Sequence, residues 1–259
     1  MTSRHILGMR VDCIEADAAR DQIVEWAAVA HHRGHGPYIC AANVHMTMEA
    51  HDDLAFQRVV NAADMVLADG QPIAWALRLL GAPQLRRVRV TPDLLLELFA
   101  ACEERGVRVG LYGGTPHTLA VFMRSLQGSF PRLDVPYAWS PPFRPLSCDE
   151  DASVVASIRE AGVQLLLVGI GCPKQERWMA AHTGVAGNEE HLLPCVMLGV
   201  GAAFDMLGGA TGNAPAWTRD RGLEWAYRLI SEPRRLWRRQ LRHNPRFVAL
   251  FLGQLLGAR

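Results

Sequence analysis

Short apolar runs alternate with stretches of helical periodicity along most of the chain. Tyr38–Ala42 predicts a buried strand, followed by a helix through Met46 to Ala63. Met65–Ala68 predicts a second strand, ended by Asp69-Gly70, with helices from about Pro72 to Leu80 and from about Pro92 to Arg105. Val107–Tyr112 predicts a strand closed by Gly113-Gly114, and its helix opens at Pro116, a favoured first helical position. Val135–Trp139, a proline-rich loop and a helix from Asp149 to Ala161 follow. Val163–Val168, a turn at Gly169-Ile-Gly171, a helix from Pro173 to Ala181 and a strand over Cys195–Val200 complete the series. Strands of continuous rather than alternating apolarity, each followed by a helix, indicate a parallel sheet covered on both faces. The expected fold is therefore α/β, a doubly wound, mostly parallel, Rossmann-like sheet. In such sheets ligands bind beyond the C-terminal strand ends.

The pattern changes after about residue 212. From Gly222 onward, Pro233 and Pro245 each stand where a helix can begin, which predicts three short helices with an apolar stripe of Leu223, Ala226, Tyr227, Ile230, Leu236, Trp237 and Leu241. The expected division is a catalytic domain over 1–212 and a helical, arginine-rich appendage over 213–259. Charge reinforces it. The formal net charge is only +1, yet residues 219–259 hold ten arginines against Asp220, Glu224 and Glu232, so the rest of the chain is acidic. The appendage reads as a solvated basic helix, a nucleic-acid surface, or an amphipathic segment whose arginines reach phosphates at an anionic membrane. Repulsion between the acidic body and a long polyanion disfavours nucleic acid, whereas a membrane needs only the appendage.

Composition narrows the class without naming it. With 259 residues, 49% apolar and 20% charged, the chain is neither disordered nor collagen-like, nor a disulfide-stapled miniprotein. The six cysteines are scattered without a C-x-x-C pair, which points to reduced thiols in a cytosolic setting. No signal-like apolar segment opens the sequence, and charges break every later apolar run before it reaches the roughly 20 residues of a spanning helix. Phe247–Leu256 is about half a span, fit for a packed helix or an interfacial one.

Chemistry concentrates at the predicted strand ends. The glycines there, Gly113-Gly114, Gly169, Gly171 and Gly201, either satisfy the sterics of tight turns or let backbone N–H groups approach an anion. Neither a G-x-G-x-x-G nor a P-loop pattern is present. Asp69 reads as a turn residue or as a general base at the mouth of a cleft. Asp149-Glu150-Asp151 formally matches a metal-holding D-x-D but opens a helix, where the dipole favours first-turn acids and N-capping is the expected role. The ten histidines lack H-E-x-x-H spacing, His31, His32 and His35 form a local cluster near a predicted helix end, and no metal or other cofactor is expected.

Taken in order, Gly169-x-Gly171-Cys-Pro-Lys-Gln175-Glu176-Arg-Trp178, Gly199-x-Gly201-Ala-Ala-Phe204-Asp205, Ala214-Pro215 and the Gly222–Arg235 segment resemble the WecG/TagA/CpsF glycosyltransferase family over roughly residues 5 to 245. The resemblance implies an inverting, metal-independent transferase that moves a hexose or N-acetylhexosamine from a UDP-sugar to a polyprenyl-diphosphate-linked sugar in cell-surface polysaccharide synthesis. It further implies a cytoplasmic protein, peripheral on the inner face of the membrane through its appendage, and homo-oligomeric. By position, Asp69 matches the catalytic base, Asn43 a sugar contact and Gln175 a pocket residue. Arg87, with Arg89 as the alternative, matches a diphosphate contact, and Arg228, Arg234 and Arg235 match phosphate contacts from the appendage. The glycine turns with Glu176 and Asp205 complete the expected binding set. Ala41, Val90-Thr91-Pro92 and Asn213 depart from the family pattern and bear on the sugar transferred more than on the reaction.

Overall fold

The computed structural model describes residues 2–29, 36–86, 90–183, 192–201, 203–204 and 233–257, with the backbone alone for 91–92 and 233–242. Eight strands and nine helices run in chain order among them. β1 (Ser3–Ile6) and β2 (Met9–Asp12) form an antiparallel hairpin whose two turn residues, Leu7 and Gly8, both have positive φ, as a tight hairpin turn requires. Then come α1 (Ala16–Val29), β3 (Tyr38–Ala42), α2 (Val44–Asp52), α3 (Leu54–Ala62), β4 (Met65–Ala68) and α4 (Gln71–Leu79). A π-helical turn over Val90–Leu94 leads into α5 (Leu95–Arg105), followed by β5 (Val109–Gly113), α6 (Pro116–Ser129), β6 (Tyr137–Trp139) and α7 (Cys148–Glu160). β7 (Leu165–Gly169), α8 (Lys174–Ala181), β8 (Val196–Gly199) and α9 (Pro233–Leu255) complete the order.

Six strands make one wholly parallel sheet in the order β4-β3-β8-β7-β5-β6, so the expected doubly wound α/β fold is present. Alternate strand residues feed two cores. Tyr38, Cys40, Ala42, Val66 and Val168 pack under α2, α3, α4, α7, α8 and α9, while Ile39, Ala41, Met65, Leu67, Leu111 and Leu167 pack under α1, α5 and α6. Both faces being dry is why these strands read as continuous apolar runs. The six cysteines are all free thiols.

Three expected elements are redrawn. The single helix through Met46 to Ala63 is two, because Asp53 leaves helical geometry and its carboxylate accepts from the N–H groups of Ala55 and Phe56, starting a new helix. Pro245 does not start a helix but lies inside α9. The missing N–H and ring clash cost about 3 kcal/mol in an isolated helix, and here the buried Phe247 and Phe251 anchor the segment beyond it. Ser147 rather than Asp149 caps α7, in a reciprocal capping box with Glu150. The first of the three expected appendage helices, and the boundary at 212, fall outside the described residues. Among the described residues no helix is long and apolar enough to cross a membrane.

Candidate active site

The sheet places a crevice around β8. After β3 and β7 the chain turns to helices on one face, whereas after β8 it turns to the other, where Phe204 packs against Phe122. Such a reversal between neighbouring strands opens a cleft at their C-terminal ends, the usual ligand position in doubly wound sheets. Asn43, Asp69, Gly113, Gly114, Gly169, Gly171 and Gly201 all lie on that edge.

Asn43 and Asp69 are brought together by register. Ala42 pairs with Ala68, so the residues that follow β3 and β4 stand side by side. The Asp69 N–H donates to Ala42 O at 2.9 Å, and a Cβ placed on Gly70 would lie 4.0 Å from Asn43 Cβ. Asn43 caps α2, its Oδ1 accepting from Met46 N at 3.1 Å, which fixes its side chain and leaves its amide NH2 group as donor. Asp69 is half-buried, and its Oδ1 accepts a long 3.4 Å bond from Val90 N. The carboxylate is thus held at the mouth of the cleft beside an amide.

The glycines pack backbone against backbone. A Cβ on Gly113 would sit 2.3 Å from Gly169 O, and Gly114 N donates to that same carbonyl at 3.2 Å. Cβ atoms on Gly169 and Gly114 would meet Phe204 at 2.6 and 3.3 Å. The sterics of close approach therefore account for these glycines.

Gln175 and Glu176 lie beneath the edge. Gln175 is 3% exposed, and its Oε1 accepts from Gly171 N at 3.3 Å and Gly201 N at 3.1 Å, so one side chain ties the turns after β7 and β8 together. Its Nε2 donates to Glu176 Oε1 at 2.7 Å. Glu176 is fully buried, and burial pushes its carboxyl above the ordinary range against the pull of the Gln175 and Cys172 hydrogen bonds. Two of the N–H groups expected to meet an anion are thereby occupied within the protein. Arg87, Arg89, Asp205 and Arg228 lie outside the described residues, and Arg234 and Arg235 belong to α9 by backbone alone.

A family model described as "Glycosyl transferase WecG/TagA/CpsF family" matches residues 4–259. The chain belongs to this glycosyltransferase family. It is also 28% identical over 218 residues to the N-acetylglucosaminyldiphosphoundecaprenol N-acetyl-beta-D-mannosaminyltransferase of Bacillus spizizenii, an alignment that covers 84% of this chain and 79% of that protein. In this member of the WecG/TagA/CpsF family, two supports of the site were not singled out from the sequence. Phe204 forms the surface against which Gly114 and Gly169 close, and Ser140 Oγ donates to Gly114 O at 2.7 Å. The glycines that end β5 and β7 are the signal for the first, since the missing Cβ atoms of Gly114 and Gly169 leave room for a large ring. One acid of the D-x-D, Asp151, is engaged with Trp178 Nε1 and His182 Nε2, and the intervening Glu150 with Ser147 and Arg144.

Proposed function

We propose that this glycosyltransferase moves a hexose or N-acetylhexosamine from a UDP-sugar to a polyprenyl-diphosphate-linked sugar, with Asp69 as general base. The observation that carries the reading is the Asp69 carboxylate held beside Asn43 at the C-terminal sheet edge. Asp69 takes the proton of the acceptor hydroxyl as its oxygen attacks the anomeric carbon from the face opposite UDP. The bond from that carbon to the diphosphate oxygen breaks, UDP leaves, and the configuration inverts. The Asn43 NH2 group orients a sugar hydroxyl. Gln175 occupies the N–H groups of Gly171 and Gly201, and the arginines implied by the family resemblance, Arg87 or Arg89 with Arg228, Arg234 and Arg235, meet the leaving diphosphate. The B. spizizenii relative is named for transfer to a diphosphoundecaprenol-linked acceptor, which supports the same acceptor class here.

Membrane association through the appendage fits the outer face of α9, where Val248, Leu252 and Leu255 stay exposed while Phe247 and Phe251 turn inward. An apolar stripe on an arginine-rich helix suits the headgroup region of the cytoplasmic leaflet. The testing experiment measures UDP release from a panel of UDP-sugars with a polyprenyl-diphosphate-sugar acceptor. Asp69→Asn is expected to lose at least about a hundredfold in kcat, the scale of general base catalysis, while keeping its Tm. Turnover by Asp69→Asn within twofold of the parent removes Asp69 from the base role.

A further inference from the structure

Two histidines and a glutamate from opposite ends of the chain meet between α2 and α9. His45 and Glu49 stand one turn apart on α2, with His45 Nδ1 3.8 Å from Glu49 Oε1. His243 of α9, 8% exposed, has its ring centroid 5.2 Å from that of His45 at an interplanar angle of 60°. One donor atom from each of the three lies within 4.8 Å of the other two, and among the described residues no other group of three such side chains is so placed.

We propose that His45, Glu49 and His243 bind a divalent transition-metal ion of the zinc class, which clamps the C-terminal helix onto the body. Two imidazoles and one carboxylate form a borderline donor set that suits zinc, whereas calcium and magnesium require oxygen-rich shells. In a tetrahedral site, bonds of about 2.0–2.2 Å put donors about 3.5 Å apart, so closing the observed cluster takes side-chain shifts of about 1 Å. Three protein ligands leave the fourth position to water.

The surrounding interface supplies the preorganisation. One turn further along both helices Arg246 makes a bidentate pair with Asp52, at 2.5 Å for each hydrogen bond, so His243 and Arg246 face Glu49 and Asp52 in the same register. Phe247 is buried in the same interface, and Gln254 reaches the β1–β2 hairpin, accepting from Leu7 N and donating to His5 O. The helices are therefore aligned without the ion, and binding adds a tie at the one place where donors converge. The ion has no step in the transfer reaction. Its effect is to fix α9 against α2, the helix that Asn43 caps.

The test uses the full-length protein, stripped with a chelator and titrated with Co2+, read by its visible d–d bands, with Zn2+ as competitor. One equivalent is expected to bind, and His45→Ala, Glu49→Gln and His243→Ala should each weaken binding at least about tenfold, the lower range seen even for groups that merely support a ligand. At a hundredfold excess over the parent Kd, zinc should raise the parent Tm by about 5 to 10 °C and shift each variant by no more than about half as much. The metal-free Tm of each variant reports its folding, with His243→Asn as the milder substitution. Absence of saturable binding overturns the proposal. So does one-to-one binding with equal affinity in all the variants, which places the ion elsewhere.

Discussion

Replacing Gln175 by alanine separates a brace from a substrate contact. Gln175 Oε1 holds the N–H groups of Gly171 and Gly201, and Nε2 donates to the buried Glu176, so the truncation removes three hydrogen bonds and opens a gap under the site. At about 1 kcal/mol net for each bond, the loss in unfolding free energy is about 3 kcal/mol, close to the usual upper end for a single substitution. Urea unfolding measures it as a fall in midpoint at unchanged slope. Gln175→Glu sharpens the result. It keeps the acceptor for both turns but sets a second carboxyl against Glu176, so it is destabilised at neutral pH and recovers as the pH falls and one carboxyl takes up a proton. The reasoning is refuted if Gln175→Ala unfolds within about 0.5 kcal/mol of the parent while its KM for the donor rises sharply. That pairing of results would make Gln175 a ligand contact rather than a strut between turns.

Gly113→Ala places a Cβ 2.3 Å from Gly169 O at a φ of +139°, where backbone must move. Calorimetry is expected to show a loss above about 3 kcal/mol or no folded protein, and an unchanged Tm refutes the close approach of β5 to β7. Glu176→Gln tests the buried carboxyl. A raised folded pKa means that, as pH climbs from the ordinary value of 4.5, the unfolded chain releases its proton first and the native state loses stability. The variant lacks that decline, so its Tm should gain on the parent between pH 4.5 and neutrality, and parallel Tm curves would count against the burial argument.

The fold was legible where the signal is local. Strands buried on both faces announce themselves as unbroken apolar runs, and Pro116 marked a helix start. The α2–α3 break was not legible, since helical periodicity continues across Asp53 and only the bonds its carboxylate makes to Ala55 and Phe56 interrupt the helix. Nor was the continuity of α9 through Pro245, which depends on Phe247 and Phe251 finding a buried seat. The N-terminal hairpin escaped notice because two four-residue strands carry too short a pattern. For the site, the sequence located Asp69, Asn43 and the glycine turns on the correct sheet edge. It offered no means to tell that Gln175 faces inward.

The sequence by itself determined the parallel α/β class, the turns that end each strand, the family, and the contrast between an acidic main part and an arginine-rich C-terminal segment. These rest on interactions among residues a few positions apart, or on composition alone, and so survive without a three-dimensional arrangement. Only the tertiary structure decided adjacency. The strand order set β8 between β3 and β7, the register put Asp69 beside Asn43, Gln175 joined Gly171 to Gly201, and helix packing carried His243 to His45 and Glu49. Which strands and helices become neighbours follows from burying every apolar face at once, a property of the whole chain that no local stretch encodes.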